Sequence, residues 1–188
     1  AASLAAVRGL LNGKTQGDTQ VVGRLTMEVV ARAAIDVGAL GLDGKVRLAD
    51  EVFVAQPNLL GSILVLPRMG VSMQELEVPL HILLVAFQAM KRSRHHWDTV
   101  TEDVQEACMQ RLTARLRFSE GLPAELAAKV ATQFCDEHAE RFLLAFAYGY
   151  LGEHDLLKVR TDAEKYLLLA VFNLVDCIAY VGAQPGRS

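Results

Sequence analysis

Five histidines, a scatter of carboxylates and three cysteines are the residues in this 188-residue chain that can move protons, bind metals or attack electrophiles. His138 stands out among them. Leu126, Val130, Phe134, His138 and Phe142 follow one another at steps of four, the spacing that stacks side chains on one helix face. A histidine in such an apolar line is either a ligand or base projecting into the core, or a core residue hydrogen-bonded to a neighbour. Asn173 and Asp176 are oddly polar within LLLAVFNLVDCIAYVGA (167–183), and they are the groups expected to meet it. A buried base is usually oriented by a carboxylate or an amide. The expected ligand-binding residues are therefore His138, Phe134, Phe142, Asn173 and Asp176, beside a pocket for an apolar small molecule. None is assigned a catalytic role, and no cofactor is expected.

Other patterns carry weaker chemistry. Glu77 and His81 lie four apart and share a helix face, which suits an ion pair better than a di-metal site, since bundle metal sites use Glu-x-x-His. GLLNGKT (9–15) has one residue too few between its glycines for a phosphate-binding loop, and a helical pattern precedes it where a strand is required. KRSRHHW (91–97) joins Arg111, Arg115 and Arg117 as a candidate basic patch, with Trp97 to stack on a base. Acidic neighbours reduce the net charge of 91–117 to about +2, and basic residues at a helix end already favour its dipole. Anion or nucleic-acid binding through 91–117 is thus an alternative, not the expectation. No nucleophile elbow, zinc-finger spacing, dinucleotide fingerprint or calcium loop is found.

His154-Asp155, in the run HDLLK, resembles the His-Asp core of the HD-domain metal phosphohydrolases, an all-helical family. That resemblance implies His154 and Asp155 as metal ligands, completed by an upstream histidine (His81, His96 or His138) and by Asp176. It covers a dipeptide and its surroundings. Here the pair follows Gly152 in a stretch that reads as a loop, and 33 residues remain after Asp155, fewer than the family usually needs. Taken alone, Glu153-His154-Asp155 reads as a solvated turn. A metal-dependent phosphohydrolase is the competing function.

The elements that position these residues read as helices. Pro123 to Leu151 reads as one long central helix, FLLAFAYGYL being apolar almost all round. Capping boxes at Ser72–Glu75, Thr99–Glu102 and Thr161–Glu164 open helices over 72–91, 99–117 and 161–182. Pro79 predicts a kink, or a first turn that breaks and restarts. Ser3 to Leu11 and Asp18 to Leu40 are the remaining helical stretches, closed by glycines. Residues 45–66 are ambiguous between a small sheet and short helices, and we favour helices, with Asn58 as a cap. The expectation is an all-α, single-domain helical bundle of about six or seven helices spanning 1–188, its core made by 72–91, 123–151 and 161–182 with 99–117 outside.

Composition narrows the class. An apolar content of 52% is above the usual range, which points to a large core or to an apolar face covered by another subunit, and a homo-oligomer is the expectation. A net charge of −3 gives no basic field for nucleic acid. Cys108, Cys135 and Cys177 are odd in number, lack C-x-x-C spacing and fall in apolar helical patterns, as reduced core thiols of a cytoplasmic protein would. Residues 167–183 are short for a membrane span and carry Asp176 near the middle, so no membrane is expected. The chain begins at Ala1, so a processed terminus is allowed for, and no signal pattern is visible. The function expected is a non-enzymatic helical protein binding a partner protein, its own copy or an apolar small molecule through apolar helix faces.

Overall fold

The computed structural model describes residues 24–119 and 122–183. The helix expected from Ser3, the 9–15 loop and the first residues of the helix expected from Asp18 lie outside them. The described residues form eight α-helices and no strand: α1 (Met27–Ala39), α2 (Leu42–Ala55), α3 (Pro57–Leu64), α4 (Met73–Arg92), α5 (Glu102–Ser119), α6 (Ala124–Glu137), α7 (Arg141–Glu153) and α8 (Asp162–Ala183), with a 3-10 turn at Leu66–Met69. The all-α expectation holds. The small sheet weighed for 45–66 is replaced by α2 and α3, because Leu48 and Val52, four apart, both face the core. Pro57 opens α3 at its first turn, where a missing N–H costs nothing, and the two segments bend by 119°. Asn58 does not cap this helix; its side chain donates instead to the Val100 carbonyl at 2.9 Å.

The helix at the centre is α4. Leu76, Val78, Ile82, Leu83, Val85, Ala86 and Ala89 are buried on every side of it, and it packs against α1, α2, α3, α7 and α8. Its start is the expected capping box: Ser72 Oγ accepts from Glu75 N at 3.2 Å and the Glu75 carboxylate accepts from Ser72 N at 2.9 Å. The helix runs through Pro79 as one element, without a restart. The box at Thr161–Glu164 forms as well and opens α8. The third shifts by two residues. Thr101 accepts from Val104 N at 3.3 Å, while the Thr99 hydroxyl turns back to the Ala55 carbonyl at 3.2 Å.

Pro123–Leu151 is not one helix. The chain leaves α6 at His138, whose φ of −64° and ψ of 131° are extended, and restarts at Arg141. No glycine or proline marks the break. Its cause is a pair of buried polar side chains: Glu140 is 2% exposed and accepts backbone N–H bonds from Arg24 (3.1 Å) and Leu25 (3.0 Å), over 100 residues away. A continuous helix would carry Glu140 away from these donors and leave a buried carboxylate unpaired, which costs several kcal/mol, on the order of more than one lost helical turn. The two halves then differ. On α7, Leu143, Leu144, Phe146, Ala147 and Leu151 are buried, whereas on α6 Leu126 is exposed and Val130 and Phe134 are half-buried. The core is therefore α4, α7 and α8 with α1, and α6 lies outside it. As expected, α5 is peripheral, burying Cys108 and Leu112 against α8.

Among the described helices α8 is the one long and apolar enough to cross a membrane, and 61% of that apolar stretch is buried inside the protein. Gly182, near its end, lies against the Trp97 ring: a Cβ there would come within 2.6 Å of Trp97 Cζ3.

Candidate functional site

The break between α6 and α7 brings two of the buried polar side chains, His138 and Glu140, within two residues of each other. His138, 8% exposed, donates or accepts through both ring nitrogens. The backbone N–H of Glu140 points at Nδ1 from 3.1 Å, so Nδ1 is the unprotonated nitrogen and accepts. Nε2 therefore carries the proton and donates to Asp176 Oδ1 on α8 at 3.0 Å. The other oxygen of Asp176 accepts from Arg115 on α5. The Arg115 guanidinium lies 4.2 Å from the centre of the Phe134 ring, and Phe134 meets His138 edge-on at 5.3 Å. A closed ring of contacts thus ties α5, α6 and α8 together. Burial pushes the Glu140 carboxyl above its ordinary range, opposed by the two backbone N–H groups it accepts.

Of the expected ligand-binding set, the structure brings His138, Phe134 and Asp176 together and leaves Asn173 and Phe142 apart. Asn173 donates to the Gln105 carbonyl at 3.3 Å, and its buried Oδ1 has no hydrogen-bond partner among the described residues. Phe142 sits under the guanidinium of Arg141, 4.9 Å away. Phe134, Asp176 and the Glu140 backbone lie against the imidazole. An open concavity of about 520 Å³ occurs instead on the outer face of α6, lined by Lys129, Thr132, Gln133, Asp136 and Glu137. Arg115 and Glu140 were missed as members of the site, because each meets it only across the tertiary fold.

His154, Asp155 and Asp176 do not assemble. His154 ends α7 with Nδ1 at 2.9 Å from the Tyr150 carbonyl oxygen, and Asp155 pairs with Lys158 and Arg160. Among the described residues no group of three or more His, Cys, Asp or Glu side chains is placed to hold a metal ion. His81 stacks on Tyr150 (ring centres 4.6 Å apart) rather than pairing with Glu77, and burial pulls it down to about 4. His96 is an exposed partner of Asp98.

The basic run is largely engaged. Lys91 pairs with Glu51 and Arg92 with Asp36, while Arg111 reaches Cys108 and lies over Tyr180. Trp97 is packed on Gly182 and donates to Ser93 Oγ at 2.9 Å, so its ring is not offered to a base. The irregular segment 94–101 is sewn to the α2–α3 junction by buried Gln56, which donates to the Asp98 carbonyl (3.0 Å) and accepts from Val100 N (2.8 Å).

The thiols divide. Cys108 and Cys177 are fully buried, on α5 and α8, whereas Cys135 is exposed on α6, contrary to its reading as a core residue. The hydrogen bond from Cys177, helped by Arg111 at 3.0 Å, holds the Cys108 thiol down at about 7, and the same pairing with burial pushes Cys177 up.

One surface is apolar where water reaches it. On α2, Leu42 (78% exposed), Val46 (51%), half-buried Ala49 and Phe53 (65%) follow at steps of four, three and four, with Val54 (82%) beside them. The described fold defines an all-α protein with a closed polar cluster inside and an uncovered apolar stripe outside. No family model, curated protein or solved structure matches the chain.

Proposed function

We propose that this is a non-enzymatic helical protein that binds a second copy of itself through α2. The observation that carries the reading is the stripe of Leu42, Val46 and Phe53, large apolar side chains left in water, which with half-buried Ala49 follow the 4-3-4 spacing of a two-helix seam. A branched Val46 at one seam position and Leu42 at the other is the choice that favours two strands. Lys45 and Asp50 flank the seam on opposite sides, so two parallel copies of α2 would set each Lys45 beside the partner copy's Asp50. The interior supports a structural role for His138: both ring nitrogens are committed to the protein's own groups, which leaves none to take a proton from a substrate. A reducing cytoplasm suits the three free thiols.

Sedimentation equilibrium of the full chain at micromolar concentration tests this. The expected result is twice the chain mass, falling to the single-chain mass in Phe53→Asp with helical content unchanged. Lys45→Glu should weaken association, and adding Asp50→Lys should restore it. A single-chain mass for the unaltered protein overturns the second-copy reading and turns attention to a different partner protein. A dimer that survives Phe53→Asp places the interface elsewhere.

A further inference from the structure

The packing of α5 on α8 sets two of the three cysteines, 69 residues apart in the chain, at the same level of two neighbouring helices. Gln105, three residues before Cys108, accepts from Asn173, four residues before Cys177. Arg111, three residues after Cys108, lies over Tyr180, three residues after Cys177, with its guanidinium 5.2 Å from the ring centre. The partners that bracket Cys108 thus bracket Cys177. Between these two contacts Cys108 and Cys177 sit at matching positions of the packed helices, both fully buried. Arg111 also donates to Cys108 Sγ at 3.0 Å and its own side chain reaches solvent, while Asp176, the residue before Cys177 and paired with Arg115, opposes it with a negative charge. At Cys135, on the outer helix α6, desolvation and Asp136 push the thiol up instead.

Two thiols side by side, one of them touched by a guanidinium that itself reaches solvent, are open to a small oxidant that follows that side chain inward. The cation favours the thiolate, which is the nucleophile, and the second sulfur stands ready to resolve the product. We propose that Cys108 and Cys177 form a hydroperoxide-sensitive dithiol that closes to a disulfide pinning α5 to α8. The Cys108 thiol gives up its proton to solvent, and the thiolate attacks one oxygen of hydrogen peroxide. The S–O bond forms, the O–O bond breaks, and the departing hydroxide takes up a proton as water. The sulfur of Cys177 then attacks Cys108 in its sulfenic acid form. The S–S bond forms, the S–O bond breaks, and the second hydroxide leaves with the Cys177 proton as water. Two thiols lose two electrons and two protons while one peroxide becomes two waters. Because the link would join segments 69 residues apart, it restrains a long loop of the unfolded chain. This inference is independent of how α2 is used.

The test uses the full chain carrying Cys135→Ser, which removes the exposed thiol. After hydrogen peroxide and then catalase, the protein is denatured, alkylated with iodoacetamide and weighed by mass spectrometry. The expected product has lost two hydrogens, takes no alkyl group, yields a linked Cys108–Cys177 peptide and returns to the dithiol with dithiothreitol. Its Tm should rise by several degrees over the reduced form. In Cys177→Ser the reaction should stop at a Cys108 sulfenic acid that dimedone traps. Arg111→Gln should slow oxidation about tenfold at pH 7 and much less above the free-thiol pKa of about 8.5. Recovery of both cysteines alkylated, oxidation of Cys108 to sulfinic acid with Cys177 intact, or an unchanged rate in Arg111→Gln would each overturn the proposal.

Discussion

Helices α8 and α2 are both apolar, and the protein treats them in opposite ways. On α8 the apolar side chains are inside, and so are polar ones: Asn173, Asp176, Cys177 and Glu164 all lie in or beside the core. Asn173 through its amide N–H, Asp176 and Glu164 find partners in another part of the chain or in the helix's own cap, Asp176 taking two. On α2 only Leu48 and Val52 are buried, and Leu42, Val46, Phe53 and Val54 remain in water with nothing among the described residues laid over them. Apolar composition therefore does not decide burial in this chain. What decides it is whether a complementary face is supplied. For α8 the rest of the fold supplies it, and for α2 we assign that part to a second copy.

The contrast can be broken from the inside first. Asp176→Ala removes the acceptor shared by His138 and Arg115 and leaves a buried imidazole N–H unpaired. It should cost about 3 kcal/mol in urea unfolding, and a loss under 1 kcal/mol would show the cluster to be incidental. Gly182→Ala is a smaller blow at the same helix. The added methyl meets the Trp97 ring at 2.6 Å, and overpacking of that kind costs about 2 kcal/mol. Trp97 fluorescence should shift with it; an unchanged spectrum and midpoint would mean that the ring moves freely.

His81 provides a third test, through pH. Its folded value of about 4 lies below the ordinary 6.5, so the unfolded chain takes up a proton that the folded ring refuses. Stability from this residue is full above pH 6.5 and is lost as pH falls from there through about 4. The loss should reach roughly 2 kcal/mol, because the part-exposed ring is screened by water. In His81→Phe this slope should vanish; if it persists, another group is responsible. The smallest effect on folding should come from α2. Phe53→Ser, at an exposed site, is expected to change unfolding free energy by less than about 0.5 kcal/mol while lowering association at least tenfold. A large loss of monomer stability would instead make Phe53 part of the fold, and the comparison with α8 would fail.

What could be read from the residues was what depends on near neighbours. The helices at 72–91 and 161–182 were legible with their caps, since a capping box closes within four residues. Thr99 was misread because a hydroxyl two residues further on did the same local task, and its own found the Ala55 carbonyl across a turn. Of the site, the meeting of His138 and Asp176 was foreseeable from one principle, that buried polar groups find partners. That Arg115 would join them and Asn173 would not depends on where α5 crosses α8, which no residue spacing specifies.

The sequence by itself determined an all-α chain and the faces of its strongest helices, because 3.6-residue periodicity and cap chemistry act over a turn or two. Tertiary structure alone decided that the long apolar run of 123–151 breaks at His138. A helix is indifferent to where its polar residues point until burial makes an unpaired one expensive, and the donors that satisfy Glu140 come from Arg24 and Leu25. It also decided which cysteines meet and which apolar stripe stays bare. Both are outcomes of which helix lies beside which, and that is settled by the packing of the whole.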